Sequence, residues 1–422
     1  MNDSSHDSPR FGELILAWAE TLAQWSDDPG GLTCAFLRPA HRQTAAQLAL
    51  WMGEAGMQVH VDAVGNVVGR YESDNLDAKT LLTGSHYDTV RDGGKYDGRE
   101  GILLPIAVVR HLHMRGERLP YHLEVIGFSD EEGVRFNSTF LGSSAVAGLF
   151  DRALLDETDT DGVTMRRALE QAGHDVGAIA AIARDPAQLL GFVEVHIEQG
   201  PVLLARGLPV GLVSAIAGCC RYQVVLRGTA SHAGTTPMGM RRDAAVAAAE
   251  IILAVERRCQ QGDSLVGTVG QLQVPNGSIN VIPGACVLSL DIRAADDLSR
   301  DAAVADVLQE IDRICSVRNI DVVVREVLRA HAVPCAPWLM QQLGAAVARN
   351  DAPVMTLPSG AGHDAMRLAQ ITDVAMLFTR CGNGGISHNP LETMTADDAQ
   401  ISAQVFFDFL RNFSAIDAQA TS

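Results

Sequence analysis

Hydrophobic positions along the chain recur with two periods. Apolar residues fall at helical spacing over residues 11–25 and again over 41–53, which predicts two amphipathic helices near the start. Residues 59–71 alternate around Gly65-Asn66 and predict a pair of strands joined by a turn. Residues 80–83, a short run of apolar and β-branched residues, read as a buried strand, and residues 123–128, 192–195 and 374–378 predict further strands. Residues 102–114 predict a helix packed on that sheet, with Pro105 in its first turn, where a missing N–H is tolerated. Residues 137–148 read as a loop and a helix of small residues. Residues 338–349 and 395–413 predict two further helices, and the stretch 359–365 opens another.

The texture changes between Gly218 and Leu328. CRYQVVLRG, VGTVGQLQV, SINVIPG, CVLSLDIR and IDVVV predict strands, and residues 243–258 and 302–317 predict helices. That order suits a small α+β domain inserted into an α/β domain. A chain of 422 residues exceeds what one core usually serves. The predicted organisation is therefore a discontinuous domain, 1–215 and 331–422, interrupted by a second at 216–330.

Composition narrows the function classes. The chain is 47% hydrophobic and 20% charged, as in a soluble globular protein, and its net charge of −18 argues against a nucleic-acid partner or an anionic membrane surface. Local positive charge could still take an acidic substrate. The first ten residues, MNDSSHDSPR, are polar and acidic and lack the apolar segment of a signal peptide. No apolar run approaches the roughly 18 to 20 residues of a membrane span. Eight cysteines without a CxxC pair predict reduced, mostly buried thiols in a cytoplasmic protein.

The chemistry gathers at the predicted strand ends. In GSHYDTVRDGGKYDGREG, residues 84–101, His86 falls just past the strand at 80–83. Asp88 is placed to accept a hydrogen bond from the far nitrogen of an imidazole and so fix its tautomer. A loop with Gly93, Gly94 and Gly98 can bring Asp97 back to the same point. A histidine near an aspartate is more often an ordinary hydrogen-bonded pair, but the arrangement recurs. Asp130, Glu131 and Glu132 follow the strand at 123–128 and would repel one another there unless cations were present. His196 and Gln199 follow the strand at 192–195, and CGNGGISHNPLE delivers His388. His86, Asp97, Glu132, His196 and His388, with one carboxylate shared, suit two divalent ions, for which zinc, manganese, cobalt and nickel are all acceptable. Such a pair lowers the pKa of a water held between the ions and polarises a substrate carbonyl. A carboxylate that is not a ligand, for which Glu131 is the natural choice, can take the water's proton and pass it to a leaving nitrogen. Neither a GxSxG elbow nor an HExxH motif is present.

GSHYDTVRDGGKYDG, FSDEEGVRF, HIEQGPVL, SHAGTTPMGMRRDA, NVIPG, DIR, SGAGHDA and GISHNP together resemble the dinuclear metal amidohydrolases related to the M20 peptidases, in the hydantoinase/carbamoylase branch. Allantoate amidohydrolases, N-carbamoyl-L-amino acid hydrolases and β-ureidopropionases belong to that branch. The resemblance implies an α/β, zinc-peptidase-like catalytic domain with an inserted ferredoxin-like α+β lid that also mediates dimerisation. It makes His86, Asp97 and His196 ligands of one ion and Asp97, Glu132 and His388 ligands of the other, with Asp97 the bridge, Glu131 the general base and Asp88 beside them. It further implies that His232 reaches across a homodimer to polarise the substrate carbonyl. Asn280 and Arg293 would hold the substrate carboxylate, and Gln199, Gly360, Gly362 and His363 would line the site. The expected substrate is a small ureido or carbamoyl carboxylate, allantoate ahead of an N-carbamoyl-L-amino acid. A non-catalytic binding protein on the same fold is the reading of a different class; it predicts loss of a ligand or base, and all six positions are present.

Overall fold

A computed structural model describes residues 10–262 and 264–415. The polar amino-terminal stretch read above lies, apart from Arg10, outside the described residues. Two compact units form. One takes the chain up to Val213, Cys335–Leu357 and His363 onward, and the other takes Ser214–Pro334 and Pro358–Gly362. The short return segment joins the second unit through backbone bonds, Ala217 N–H to the Ser359 carbonyl at 2.9 Å among them, which a reading of contiguous segments does not anticipate.

In the first unit, α1 (Phe11–Leu22) buries Phe11, Ile15, Ala19 and Leu22 on one stripe. Helix α2 (Pro39–Glu54) starts on a proline, whose fixed φ suits a first helical position. Strands β1 (Gln58–Val61) and β2 (Val67–Tyr71) pair antiparallel, with Val61 opposite Val67. Their turn is closed by the Asp62 carboxylate, which accepts from the amides of Val64 and Asn66. Then come β3 (Thr80–His86), α3 (Glu100–Met114), β4 (His122–Phe128) and β5 (Leu189–Ile197), and β6 (Val210–Ile216) carries the chain into the second unit. Helix α3 begins at Glu100, earlier than predicted, because the turn at Gly98 already lets Leu103 N–H reach the Arg99 carbonyl. Pro105 therefore sits beyond the first turn, inside the helix, and leaves the Gly101 carbonyl without its usual intrahelical donor.

The second unit is β7 (Gly218–Arg227), α4 (Ala244–Cys259), β8 (Leu265–Thr268), β9 (Ala285–Ala294), α5 (Asp297–Arg318) and β10 (Asp321–Ala330). Its strands lie in the order β8-β9-β7-β10, all antiparallel, which is the ferredoxin-like arrangement the resemblance implied. Strand β9 alternates strictly: Cys286, Leu288, Leu290, Ile292 and Ala294 are buried in a core with residues of α4 and α5. On its other face Val287, Ser289, Asp291 and Arg293 line an open cavity of about 830 Å³ with Arg221 and Gly360. The predicted strand SINVIPG shrinks to Val281–Ile282, paired with Ser231–His232, because Pro283 has no N–H to extend the ladder.

Back in the first unit, α6 (Pro337–Arg349), β11 (Val374–Thr379) and α7 (Ala396–Asn412) complete the domain. Thr395 caps α7, its hydroxyl accepting from Asp398 N–H. The sheet runs β1-β2-β4-β3-β5-β11-β6, with β4, β3, β5 and β11 parallel. Helix α3 packs on β3 and β5, and α7 packs on α1, α3 and α6, and the parallel strands are buried along nearly their whole length, Glu124 and Glu194 included. Register then decides what stands at the carboxyl edge. His86 pairs with Phe128, the residue before Ser129-Asp130-Glu131-Glu132, and His196 pairs with Phe378. Thr83 faces Val193, and three residues further along each strand stand His86 and His196. Among the described residues no helix is long and apolar enough to cross a membrane.

Gly84, two residues before His86, has φ +146°, and a Cβ there would stand 1.9 Å from the Ile126 carbonyl oxygen on β4. Gly84→Ala is expected to lower stability by about 2 kcal/mol or more. Denaturant unfolding of the variant beside the parent checks this, and an unchanged midpoint would contradict it.

Candidate metal centre

Four loops leave the carboxyl edge of the parallel strands, where an open α/β sheet gathers its ligands. His86 ends β3 and is buried. Its Nδ1 lies 3.2 Å from the Asp88 carbonyl oxygen and 3.5 Å from Asp88 Oδ1. The Asp88 carboxylate is itself committed elsewhere, accepting from the amides of Glu131 and Glu132, both at 3.1 Å. The carbonyl of Asp88 therefore takes the closer contact expected of its carboxylate, and the carboxylate holds the start of the acidic loop. Gly98 turns the glycine-rich loop with φ +67°, and a Cβ there would meet the His86 ring at 2.4 Å. That turn sends Asp97 to the edge of the sheet.

Asp97 is the meeting point. Its Oδ1 lies 3.6 Å from His86 Nε2 and 3.3 Å from His196 Nε2. Its Oδ2 lies 3.1 Å from His388 Nε2, which is in turn 3.2 Å from Glu132 Oε1. Gln199 Nε2 donates to the same Oδ2 at 2.9 Å. His196 Nδ1 stands 2.8 Å from the Ile197 carbonyl oxygen, an arrangement in which Nδ1 donates and Nε2 accepts, as it does from Gly98 N–H at 3.2 Å. His388 and Gln199 both adopt left-handed backbone, φ +54° and +55°, a conformation rare outside glycine and concentrated at functional sites. The strand-end candidates are thus brought together as two groups, His86 with Asp97 and His196, and Asp97 with Glu132 and His388.

The fit to cations can be judged from the geometry itself. Two ligands about 2.1 Å from a zinc ion at tetrahedral angles stand roughly 3.4 Å apart, and the nitrogen-to-oxygen separations above bracket that spacing. Asp97 Oδ1 is buried and has no hydrogen-bond donor. A buried carboxylate oxygen left so is costly unless positive charge faces it. The electrostatics of the cluster make the same demand. Burial alone would push the Asp97 carboxyl up, yet His196, His388 and His86 hold it well below the usual carboxylate range. Contacts with Asp97 and then Glu132 push the His388 imidazole up to about 10. The site draws positive charge, as protons on imidazoles or as metal ions.

Glu131 lies in the same cluster but takes no part in the two groups around Asp97. Burial raises its carboxyl well above the usual range, opposed by His86 and reinforced by Glu132, Asp364 and Asp88. His363 is buried with its ring edge-on to His196, centroids 4.5 Å apart. Three residues that sequence reasoning passed over support this edge. Glu194 accepts from Ser85 Oγ at 2.8 Å and Ala365 N–H at 3.2 Å, and Ser387 and Glu392 stand behind Asp97. Only the motifs SGAGHDA and GISHNPLE, which contain or touch their partners, pointed toward them.

The remaining candidates belong to the second unit. His232 is exposed and pairs with Val281, and Ala233 N–H reaches the Asn280 carbonyl at 2.9 Å. His232 Nδ1 accepts from Gly234 N–H at 3.0 Å, which leaves the ring proton on Nε2 as a donor. Arg293 places Nε and Nη2 on the two oxygens of Asp291, both at 2.9 Å, and Nη1 on the Gly360 carbonyl at 2.7 Å. Asp291 also receives Arg221, so a carboxylate flanked by two guanidinium groups orients Arg293, a partner absent from the sequence reading. His232 and Asn280 are not among the residues lining the Arg293 cavity.

Comparison with known proteins follows the same lines. Residues 82–412 match the peptidase family M20/M25/M40. The chain is 40% identical to allantoate deiminase 1 of Glycine max over 426 residues, covering 93% of this chain and 88% of that protein. It is 38% identical to the N-carbamoyl-L-amino acid amidohydrolase of Geobacillus stearothermophilus over 397 residues, 94% of this chain and 97% of that one. The crystal structure of an amidase of the hydantoinase/carbamoylase family from Burkholderia multivorans superposes with a TM-score of 0.90 at 32% identity, covering 96% of this chain and 98% of its own.

Without metal, the His388 ion pair should leave a signature in stability against pH. Its pKa in the folded chain stands above the unfolded value of about 6.5, so its contribution is complete below that pH and is lost as pH rises through about 10. The difference in melting temperature between the metal-stripped protein and its His388→Ala variant should be largest at about pH 6.5, shrink as pH rises and vanish by about pH 10. A difference that grows with pH would contradict the geometry.

Proposed function

The chain belongs to peptidase family M20/M25/M40, in its hydantoinase/carbamoylase branch, and is a hydrolase of non-peptide carbon–nitrogen bonds; from that premise we propose that it cleaves the ureido or carbamoyl group of a small carboxylate, allantoate first, releasing ammonia and carbon dioxide. The single observation that carries this reading is Asp97, buried with one oxygen against His86 and His196 and the other against His388. Those residues with Glu132 would hold two divalent ions, zinc, manganese, cobalt or nickel, and Asp97 would bridge them. When bound, the ions supply the charge that acidifies a water and polarises a carbonyl.

The chain's own residues do the rest. Glu131, in the cluster but outside the Asp97 groups, takes a proton from the attacking water and hands it to the leaving nitrogen. Burial pushes its carboxyl above the usual carboxylate range, the direction that suits a group accepting a proton. Asp88 keeps Glu131 in place through its backbone amide. Arg293 binds the substrate carboxylate with the outer N–H groups that Asp291 and Gly360 leave free, and the planar fork suits that anion. Asn280 joins it, His232 donates from Nε2 to the substrate carbonyl of a partner subunit, and Gln199, Gly360, Gly362 and His363 line the pocket. A homodimer is supported by β10, whose outer edge is unpaired among the described strands and whose Val323 and Val327 are exposed. The eight cysteines are free thiols, which supports a reducing compartment such as the cytoplasm.

A second reading, an N-carbamoyl-L-amino acid hydrolase, is favoured by the Geobacillus relative, whose identity of 38% nearly equals the 40% of the Glycine max relative. Ammonia release from allantoate, measured beside a panel of N-carbamoyl-L-amino acids, separates the two. Allantoate is expected to give the largest kcat/KM, with activity lost on chelation and restored by manganese, zinc, cobalt or nickel. Turnover of none of these substrates, or indifference to chelators, would overturn the proposal. Glu131→Gln should lower kcat by about 10²-fold or more while metal content stays at the parent level; retained turnover would place the base elsewhere.

A further inference from the structure

Behind Asp97 stands a second buried carboxylate that the proposed mechanism does not use. Glu392 lies past His388 on the loop that follows β11, and it is only 4% exposed. Its Oε1 accepts from Tyr96 N–H at 2.9 Å and from Asp97 N–H at 3.2 Å. Its Oε2 accepts from Ser387 Oγ at 2.7 Å, and the same hydroxyl lies 3.0 Å from Asp97 Oδ2. One carboxylate therefore grips the backbone of the loop carrying Asp97 and, through Ser387, both the Asp97 side chain and the residue next to His388.

The local structure is built around this grip. Glu392 N–H donates to the Asn389 carbonyl at 3.0 Å, Leu391 N–H donates to Asn389 Oδ1 at 2.9 Å, and Asn383 Nδ2 reaches the Leu391 carbonyl at 2.8 Å. Three bonds thus fix the turn that aims Glu392 inward. On the facing loop, Gly94 leaves the room, since a Cβ there would stand 2.1 Å from the Glu392 carboxyl group. No arginine, lysine or histidine is paired with Glu392 in an ion pair among the described residues. A buried carboxylate held only by neutral donors is a poor device for stability, which points to a role in arranging what it touches.

We propose that Glu392, acting through Ser387, is a positioning residue that sets the Asp97 carboxylate in register with His388, and that the affinity of the site for divalent ions depends on it. This rests on the dinuclear reading given above. Outer partners of a ligating carboxylate typically change metal affinity by about 10- to 100-fold when removed. Gln at position 392 can keep the acceptor for the two amides and offer an N–H to Ser387; Ala can do neither. Ser387→Ala keeps the bonds from Glu392 to the Tyr96 and Asp97 amides and removes only the hydroxyl that stands between Glu392 Oε2 and Asp97 Oδ2.

The test is calorimetric titration of metal-stripped full-length protein with manganese chloride, alongside melting temperatures with and without the metal. Glu392→Ala is expected to weaken manganese binding by about 10- to 100-fold and to shrink the metal-induced rise in melting temperature. Glu392→Gln should recover most of both, and Ser387→Ala should fall between while melting like the parent when metal-free. If Glu392→Ala does not fold, Ser387→Ala decides the matter, with weakened binding in a variant of parental metal-free stability supporting the proposal. Parental manganese affinity in the variants, with only the metal-free melting temperature lowered, would make Glu392 a loop staple and overturn it. A parent that binds no manganese, zinc, cobalt or nickel would overturn the dinuclear reading itself, whereas a parent that binds and variants that bind equally would overturn only the positioning role.

Discussion

A carboxylate withdrawn from water between three imidazoles is an unstable arrangement unless positive charge is shared among them. Asp97 stands in that position, with His86 and His196 on one oxygen and His388 on the other. Everything around it reads as a response to that one constraint. The imidazoles are held by their far nitrogens or by strained backbone, and the neighbouring carboxylates are turned toward amides so that they do not compete for the same cations. Such a concentration of acid at one edge calls for positive charge, from protons on the imidazoles or from bound cations.

Strand register is how distant residues reach Asp97. The alignments of His86 with Phe128 and of His196 with Phe378 put four loop origins on one edge. A slip of one residue would turn His86 or His196 into the opposite face of the sheet. The packing that resists such a slip is the apolar cover on both faces of β3, β4, β5 and β11, so the core that stabilises the domain also sets the geometry of the site. Gly84 shows how closely the two are tied, since the backbone of β4 already fills the place of a side chain there.

Much of this was legible in the sequence because the signal is local. A buried parallel strand is a continuous apolar run, and a ligand-type residue directly after it marks the carboxyl edge, so His86, Glu132, His196 and the loop to His388 could be read one strand at a time. The second unit was legible for a similar reason, the strict alternation that separates Leu288, Leu290 and Ile292 from Asp291 and Arg293. What escaped were effects that join segments far apart. The commitment of Asp88 to the amides of Glu131 and Glu132, the approach of Glu392 to Tyr96 and Asp97, and the place of residues 358–362 in the second unit all depend on tertiary proximity. Pro105 was placed in a first turn because proline usually sits there; the tight turn at Gly98 started the helix sooner. SINVIPG predicts a strand, but Pro283, which has no N–H to extend the ladder, ends it at Ile282.

Strand β11 lies between β5 and β6, although both precede it in the chain by the whole length of the second unit. During synthesis the domain must therefore wait with a slot open in the middle of its sheet, its hydrogen-bonding edges bare, until the last part of the chain emerges. A nascent chain halted before β11 would expose unpaired strand margins to other copies and call on chaperones, and refolding from denaturant would be slow, limited by a non-local closure of high contact order. The same strand leads into the loop bearing His388, so the strand that closes the sheet also brings the His388 side chain to Asp97.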